Sequence, residues 1–147
     1  MDLNIQLQEI KHGSVEYALS VALRDRVLRH PLGLYFTPEQ LEEEKNEFHL
    51  SGWQGNELLG CLVLKPVDMY IIKMRQVAVS PQAQGQGIGK MLVEWSETFA
   101  SEHLFTTIRL SARDTAIPFY LQLGYEVFGD AFTEVSIPHR SMQKQLK

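Results

Sequence analysis

Three glycines at alternate positions, Gly85, Gly87 and Gly89, follow an apolar run ending at Val79 and open an amphipathic run. Glycines so closely spaced weaken a helix unless their missing side chains are put to use. At a helix start the first N–H groups have no partner within the helix, and the positive end of the helix dipole lies behind them. Without side chains in the way, a phosphate or pyrophosphate can approach that backbone. The segment Val77 to Lys90 therefore predicts a strand, a turn and a helix built around an anion. A Walker loop requires glycine at position 84 and Ser or Thr at 91, where Gln84 and Met91 stand. A dinucleotide fingerprint requires glycine at position 90, where Lys90 stands, and a place after the first strand of the domain. A nucleotide-phosphate enzyme would also need a magnesium site, and no suitably placed Ser, Thr or Asp pair supplies one.

The rest of the chain frames this segment. Asn4 to Ile10 reads as a first strand. From Ser14 to Arg29, Val15, Ala18, Leu19, Ala22, Leu23 and Val27 recur at helical spacing, and Pro31 stops the run. Thr37-Pro38-Glu39 starts a second helix that runs to about Glu47, with Glu42 to Lys45 as a solvated charged face. Strands follow at Phe48–Gln54 and Glu57–Pro66, joined by Gly55-Asn56, and then at Tyr70–Val79. The helix after the glycines runs from Gly87 to about Ser101 and buries Ile88, Met91, Leu92, Trp95 and Phe99. Thr106 to Ala112 is a strand. A short helix capped by Asp114 or Thr115 carries Ala116, Phe119, Tyr120 and Leu123, and Gly124 ends it. Tyr125–Phe128 and Glu134–Leu146 supply the last strands. The order βααββ, then βαβαββ, packs most naturally as a mixed sheet with helices on both faces.

The pattern Gln84-x-x-Gly87-x-Gly89 resembles the coenzyme A pyrophosphate loop of the GCN5-related N-acetyltransferase (GNAT) superfamily. A Val-x-Val strand end precedes it. Downstream, Ala116-x-x-Phe119-Tyr120-x-x-x-Gly124-Tyr125 resembles that superfamily's second motif at the expected separation. The two motifs cover roughly residues 75 to 128. The resemblance implies an α/β (α+β) fold: one domain over residues 1–147, with a mostly antiparallel central sheet of six to seven strands and about four helices. It also implies transfer of an acetyl group from acetyl-CoA to a primary amine of a small molecule or peptide, directly within a ternary complex.

Residue by residue, the resemblance assigns the backbone of Val77, Ala78 and Val79 to the pantetheine arm, with the Val77 N–H near the acetyl carbonyl. The run Gln84, Gly85, Gln86, Gly87, Ile88 and Gly89 would hold the pyrophosphate through its N–H groups, with Lys90 beside it, while the Ile88 side chain goes to the core. Tyr120 matches the tyrosine that protonates the departing thiolate. Read alone, a tyrosine on an apolar helix face is equally a core residue with a bonded hydroxyl. Arg113 stands where the family often has asparagine, and can reach a cofactor phosphate or cap a helix. A carboxylate base on the central strands is missing from Lys73–Val79 and Thr106–Ala112. That leaves Glu134 and His139 on the last strands, or a water chain, to take the amine's proton.

A net charge of −4 opposes nucleic-acid binding, which rests on phosphate neutralisation. No apolar run reaches the roughly 18–20 residues of a membrane span, and Met1 to Ile10 lacks a signal peptide's pattern. The single Cys61 has no partner for an internal disulfide, and the expectation is a cytoplasmic protein. The five histidines lack metal-ligand spacing, so no metal is expected. The C-terminal strands are the candidate surface for a homodimer. Against the transferase stands a reading from another class, a coenzyme A-binding sensor or interaction module whose catalysis has decayed. The missing carboxylate favours the sensor, and the retained Tyr120 favours the enzyme.

Overall fold

A computed structural model describes residues 4–147. Among the described residues seven strands and four α-helices follow in the order β1 (Gln6–Ile10), α1 (Val15–Arg24), α2 (Pro38–Glu43), β2 (Phe48–Gln54), β3 (Glu57–Pro66), β4 (Ile71–Val79), α3 (Ile88–Glu102), β5 (Thr107–Arg113), α4 (Ile117–Gln122), β6 (Glu126–Glu134) and β7 (Ile137–Gln145). The strands form one mixed sheet in the order β1-β2-β3-β4-β5-β7-β6. Pairing is antiparallel for β1–β2, β2–β3, β5–β7 and β6–β7, and parallel for β4–β5. The parallel ladder is short, matching Ile71–Lys73 to Thr107–Arg109, and β4 runs on beyond it.

Two compact units share the chain: residues 1–65 with 76–96, and residues 66–75 with 97–147. Both are discontinuous in sequence, so no linker marks the division. It falls at the end of β3, inside β4 between Arg75 and Gln76, and inside α3 between Ser96 and Glu97. In the first unit, Leu23 of α1, Cys61 of β3 and Ala78 of β4 pack into a buried cluster flanked by Val27, Leu28 and Leu58. Gly60 lets α3 lie close on the sheet: a Cβ there would meet Leu92 Cδ1 at 2.9 Å and both the Ala78 carbonyl oxygen and Ile88 Cγ2 at 3.1 Å. In the second unit the buried residues include Ile108, Leu110 and Ala112 of β5, Tyr120, Tyr125 and Met142.

Local chemistry explains several element ends. Ser14 caps α1 by accepting from the Tyr17 N–H, and Thr37 with Gln40 forms a full capping box on α2. Gly124 ends α4 in the left-handed conformation, with φ 93°.

Several expectations need correction. The face of α1 that is buried is Tyr17, Ser20, Leu23 and Arg24, whereas Val15, Ala18, Leu19 and Ala22 are exposed. Beyond Arg24 the helix widens into a π-turn over Asp25–Arg29. The second helix stops at Glu43 and tightens into a 3₁₀ turn, Glu44–Asn46, that carries Glu44 into the interior while Glu42, Glu43 and Lys45 stay exposed. On α3, Met91 and Trp95 are only half-buried, and Val93, Ser96 and Ala100 are buried instead. Before α4, residues Asp114–Ala116 make a 3₁₀ turn, and neither Asp114 nor Thr115 caps the helix. β6 runs through Gly129-Asp130, because β7 pairs with residues on both sides of an irregularity between Phe128 and Phe132.

Candidate active site

The loop after β4 has the form expected of an anion cradle. Gly85 and Gly87 have φ of 80° and 84°, values that side-chain-bearing residues rarely adopt, and a Cβ at either would meet nothing within 4 Å. Gln84 to Gly87 are exposed immediately ahead of a fifteen-residue helix. Side-chain amides brace the loop: Gln84 Nε2 donates to the Val79 carbonyl at 3.2 Å, and Gln86 Nε2 to the Gln82 carbonyl at 3.4 Å. Ile88 is buried, so within the loop run its side chain serves packing. Lys90 is exposed one turn into α3. An open, glycine-lined helix start fits a coenzyme A pyrophosphate.

Along β4, Ala78 is buried against Leu23 and Cys61, while Val77 and Val79 on the opposite face are half-buried. Two features of this strand escaped the sequence reading. Gln76 has φ 53° inside a β-strand, and its side-chain oxygen accepts from Arg24 Nη1 at 2.9 Å. The Ser80 hydroxyl, just beyond the strand, is buried and has no hydrogen-bond partner among the described residues. A glutamine gives no sequence signal for a left-handed backbone. Arg24 and Glu44 lie too far apart in the chain to be paired by inspection.

In the second unit, Tyr120 is only 8% exposed, with its ring edge-on to those of Phe119 and Tyr125 at 5.0 and 5.7 Å. Burial pushes its hydroxyl pKa up to about 12. Tyr125, in contrast, donates to Glu97 Oε2 at 3.1 Å, which marks it as structural. The β6–β7 hairpin brings Glu134 and His139 together, with His139 Nε2 3.6 Å from Glu134 Oε2. His139 Nδ1 lies 2.7 Å from the Ile137 carbonyl oxygen and the ring stacks on Phe132. The carbonyl can only accept, so the proton sits on Nδ1 and Nε2 is left as the basic nitrogen. Arg113 ends β5 and pairs with His139 in the β5–β7 register.

The remaining reactive group is inert by placement. Cys61 is buried in the core and burial raises its thiol pKa to about 12. Among the described residues, no group of three or more His, Cys, Asp or Glu side chains could hold a metal ion, and no helix is long and apolar enough to cross a membrane.

The N-acetyltransferase YjcF of Bacillus subtilis, itself uncharacterized, is 28% identical over 108 residues, covering 72% of this chain and 76% of its own. An acyl-CoA N-acyltransferase from Pseudomonas aeruginosa superposes with TM-score 0.82 at 24% identity, over 96% of this chain and 99% of its own. A GNAT family acetyltransferase from Elizabethkingia anophelis, solved with acetyl-CoA bound, superposes with TM-score 0.76 at 17% identity, over 97% of this chain and 99% of its own. At these identities the two structures establish the fold. The model of the family described as "Acetyltransferase (GNAT) family" matches residues 16–125, and the chain belongs to that family of acetyltransferases.

Proposed function

We propose that this protein transfers an acetyl group from acetyl-CoA to a primary amine of a small molecule or peptide, by direct attack within a ternary complex. The observation that carries this reading is the pair of open, left-handed glycines at the start of α3. The loop N–H groups from Gln84 to Gly89 hold the pyrophosphate, and the backbone of Val77, Ala78 and Val79 holds the pantetheine arm. Acetyl-CoA supplies an electrophilic thioester carbonyl, toward which the Val77 N–H donates.

Tyr120 is the general acid. Its hydroxyl is protonated at neutral pH, as an ordinary tyrosine's already is, and delivers the proton to the sulfur as the C–S bond breaks. The incoming ammonium must first lose a proton. Glu134, whose side chain is 59% exposed, meets it, and His139 behind it takes the proton on Nε2 as an imidazolium beside the carboxylate. Arg113 is a candidate contact to a coenzyme A phosphate. No covalent acetyl-enzyme is involved, since the one thiol is buried and held protonated.

The sensor reading keeps one observation in its favour, the absence of any carboxylate on β4 or β5. Calorimetric titration with acetyl-CoA, desulfo-CoA and ATP tests both. Micromolar binding of the two coenzyme A ligands and not ATP supports the cofactor assignment, and turnover with a panel of amines then separates enzyme from sensor. Absence of coenzyme A binding would overturn both.

A further inference from the structure

Arg24 lies on α1 with no surface in contact with solvent, although burying a guanidinium is costly unless every charge is answered. Nη1 donates to Glu44 Oε2 and Nη2 to Glu44 Oε1, both at 2.8 Å, in a two-pronged pair. Glu44 is itself buried, and it accepts from the Tyr17 hydroxyl at 2.7 Å. His49 Nε2 sits 2.9 Å from the Glu44 carbonyl oxygen and fixes the turn that carries it. Nη1 also donates to the Gln76 side-chain oxygen at 2.9 Å, while the buried Nε has no partner among the described residues.

Gln76 is where that donor has an effect. Among the described residues it is the one in β4 with positive φ, a backbone conformation strained for any residue that carries a side chain. Such strain persists only where the surroundings over-determine it. Here two neighbouring residues of α1 act on two same-face positions of β4: Arg24 holds Gln76, and Leu23 packs on Ala78. Val77 lies between them. Its N–H direction follows from the backbone of Gln76, because the peptide joining the two residues turns with it.

We propose that Arg24, locked by Glu44, is a positioning residue that holds Gln76 in its left-handed conformation and thereby aims the Val77 N–H at the acyl carbonyl. The inference rests on the acetyl-CoA reading above and adds to it the residues that set the donor's direction. It assigns no direct contact with substrate to Arg24, Glu44 or the Gln76 side chain.

The test needs no acceptor. Gln76→Met removes the accepting oxygen but leaves the buried ion pair intact, and Gln76→Glu restores an acceptor for Arg24. Each variant is first melted to establish that it folds. It is then titrated with acetyl-CoA and with CoA, which lacks the acyl carbonyl. Infrared spectra of bound [1-¹³C]acetyl-CoA report how strongly that carbonyl is polarised. Gln76→Met should lower the preference for acetyl-CoA over CoA about two- to tenfold, the worth of one hydrogen bond, and return the carbonyl band toward its position in free solution. Gln76→Glu should recover most of both effects. A folded Gln76→Met protein with wild-type preference and band position would overturn the positioning role while leaving the acetyl-CoA reading intact. A wild-type protein that binds neither ligand would overturn the acetyl-CoA reading itself.

Discussion

Tyr120 shows how the packing around a side chain changes its acidity. Its ring is buried against two aromatic neighbours, and that burial raises the hydroxyl pKa to about 12. If it is the general acid, Tyr120→Phe should lower kcat by about 10²–10⁴ while leaving coenzyme A affinity near wild type, measured by steady-state turnover and calorimetry. The same shift has a consequence for stability. The folded value lies above the unfolded value of about 10, so the contribution is fully present below pH ~10 and is lost as pH climbs through 12. Over that window the wild type should lose stability more steeply than Tyr120→Phe in alkaline melts. The tyrosine's place in its motif was legible from the chain. The raised pKa was not, because it depends on which rings close around the hydroxyl.

Among the elements, α3 and the loop before it depend on glycines of two different kinds. Gly87 is open to solvent and strained for any other residue, with φ 84°. Gly60 sits on β3 with α3 pressed against it, and the Ala78 carbonyl beside it cannot swing away as the end of a side chain can. Gly60→Ala should therefore act on packing and destabilise by about 1–3 kcal/mol, seen as a lower melting temperature. Gly87→Ala should act chiefly on the ligand, reducing coenzyme A affinity tenfold or more in a titration. Helix α1 teaches the opposite lesson about periodicity. Its apolar residues do recur at helical spacing, yet the structure buries Tyr17, Ser20, Leu23 and Arg24 and leaves Val15 75% exposed. A pattern of apolar residues finds the helix. The inward face was chosen by the partner that Arg24 has in Glu44.

On the scale of the whole molecule, that buried pair ties distant segments of the first unit together. Arg24 comes from α1, Glu44 from the turn after α2, and Gln76 from β4. Glu44→Gln leaves the guanidinium buried without its counter-charge and should destabilise by about 3–5 kcal/mol, a large share of the ~5–15 kcal/mol typical of a folded domain. The double variant Arg24→Met/Glu44→Leu should recover much of that loss in a denaturant melt. Burial by itself would raise the Glu44 pKa, but hydrogen bonding and charge from Arg24, with Tyr17 adding a bond, outweigh it and hold the carboxyl below its ordinary range. A lowered folded value contributes stability above the unfolded pKa and loses it as pH falls through the folded one. The wild type should thus weaken more steeply than the double variant as pH drops below about 4.

The element order, most of the β2, β3 and α3 boundaries, the glycine loop and the family were legible in the chain. Each depends on signals within a few residues of one another: period-2 and period-3.6 patterning, caps, turn pairs and glycine spacing. The buried face of α1, the descent of Glu44 into the interior, the left-handed Gln76 and the meeting of Glu134 with His139 emerge only when the chain folds. These depend on long-range partners. Charge burial and backbone strain are stable only when groups distant in the chain arrive together, and no local pattern records that.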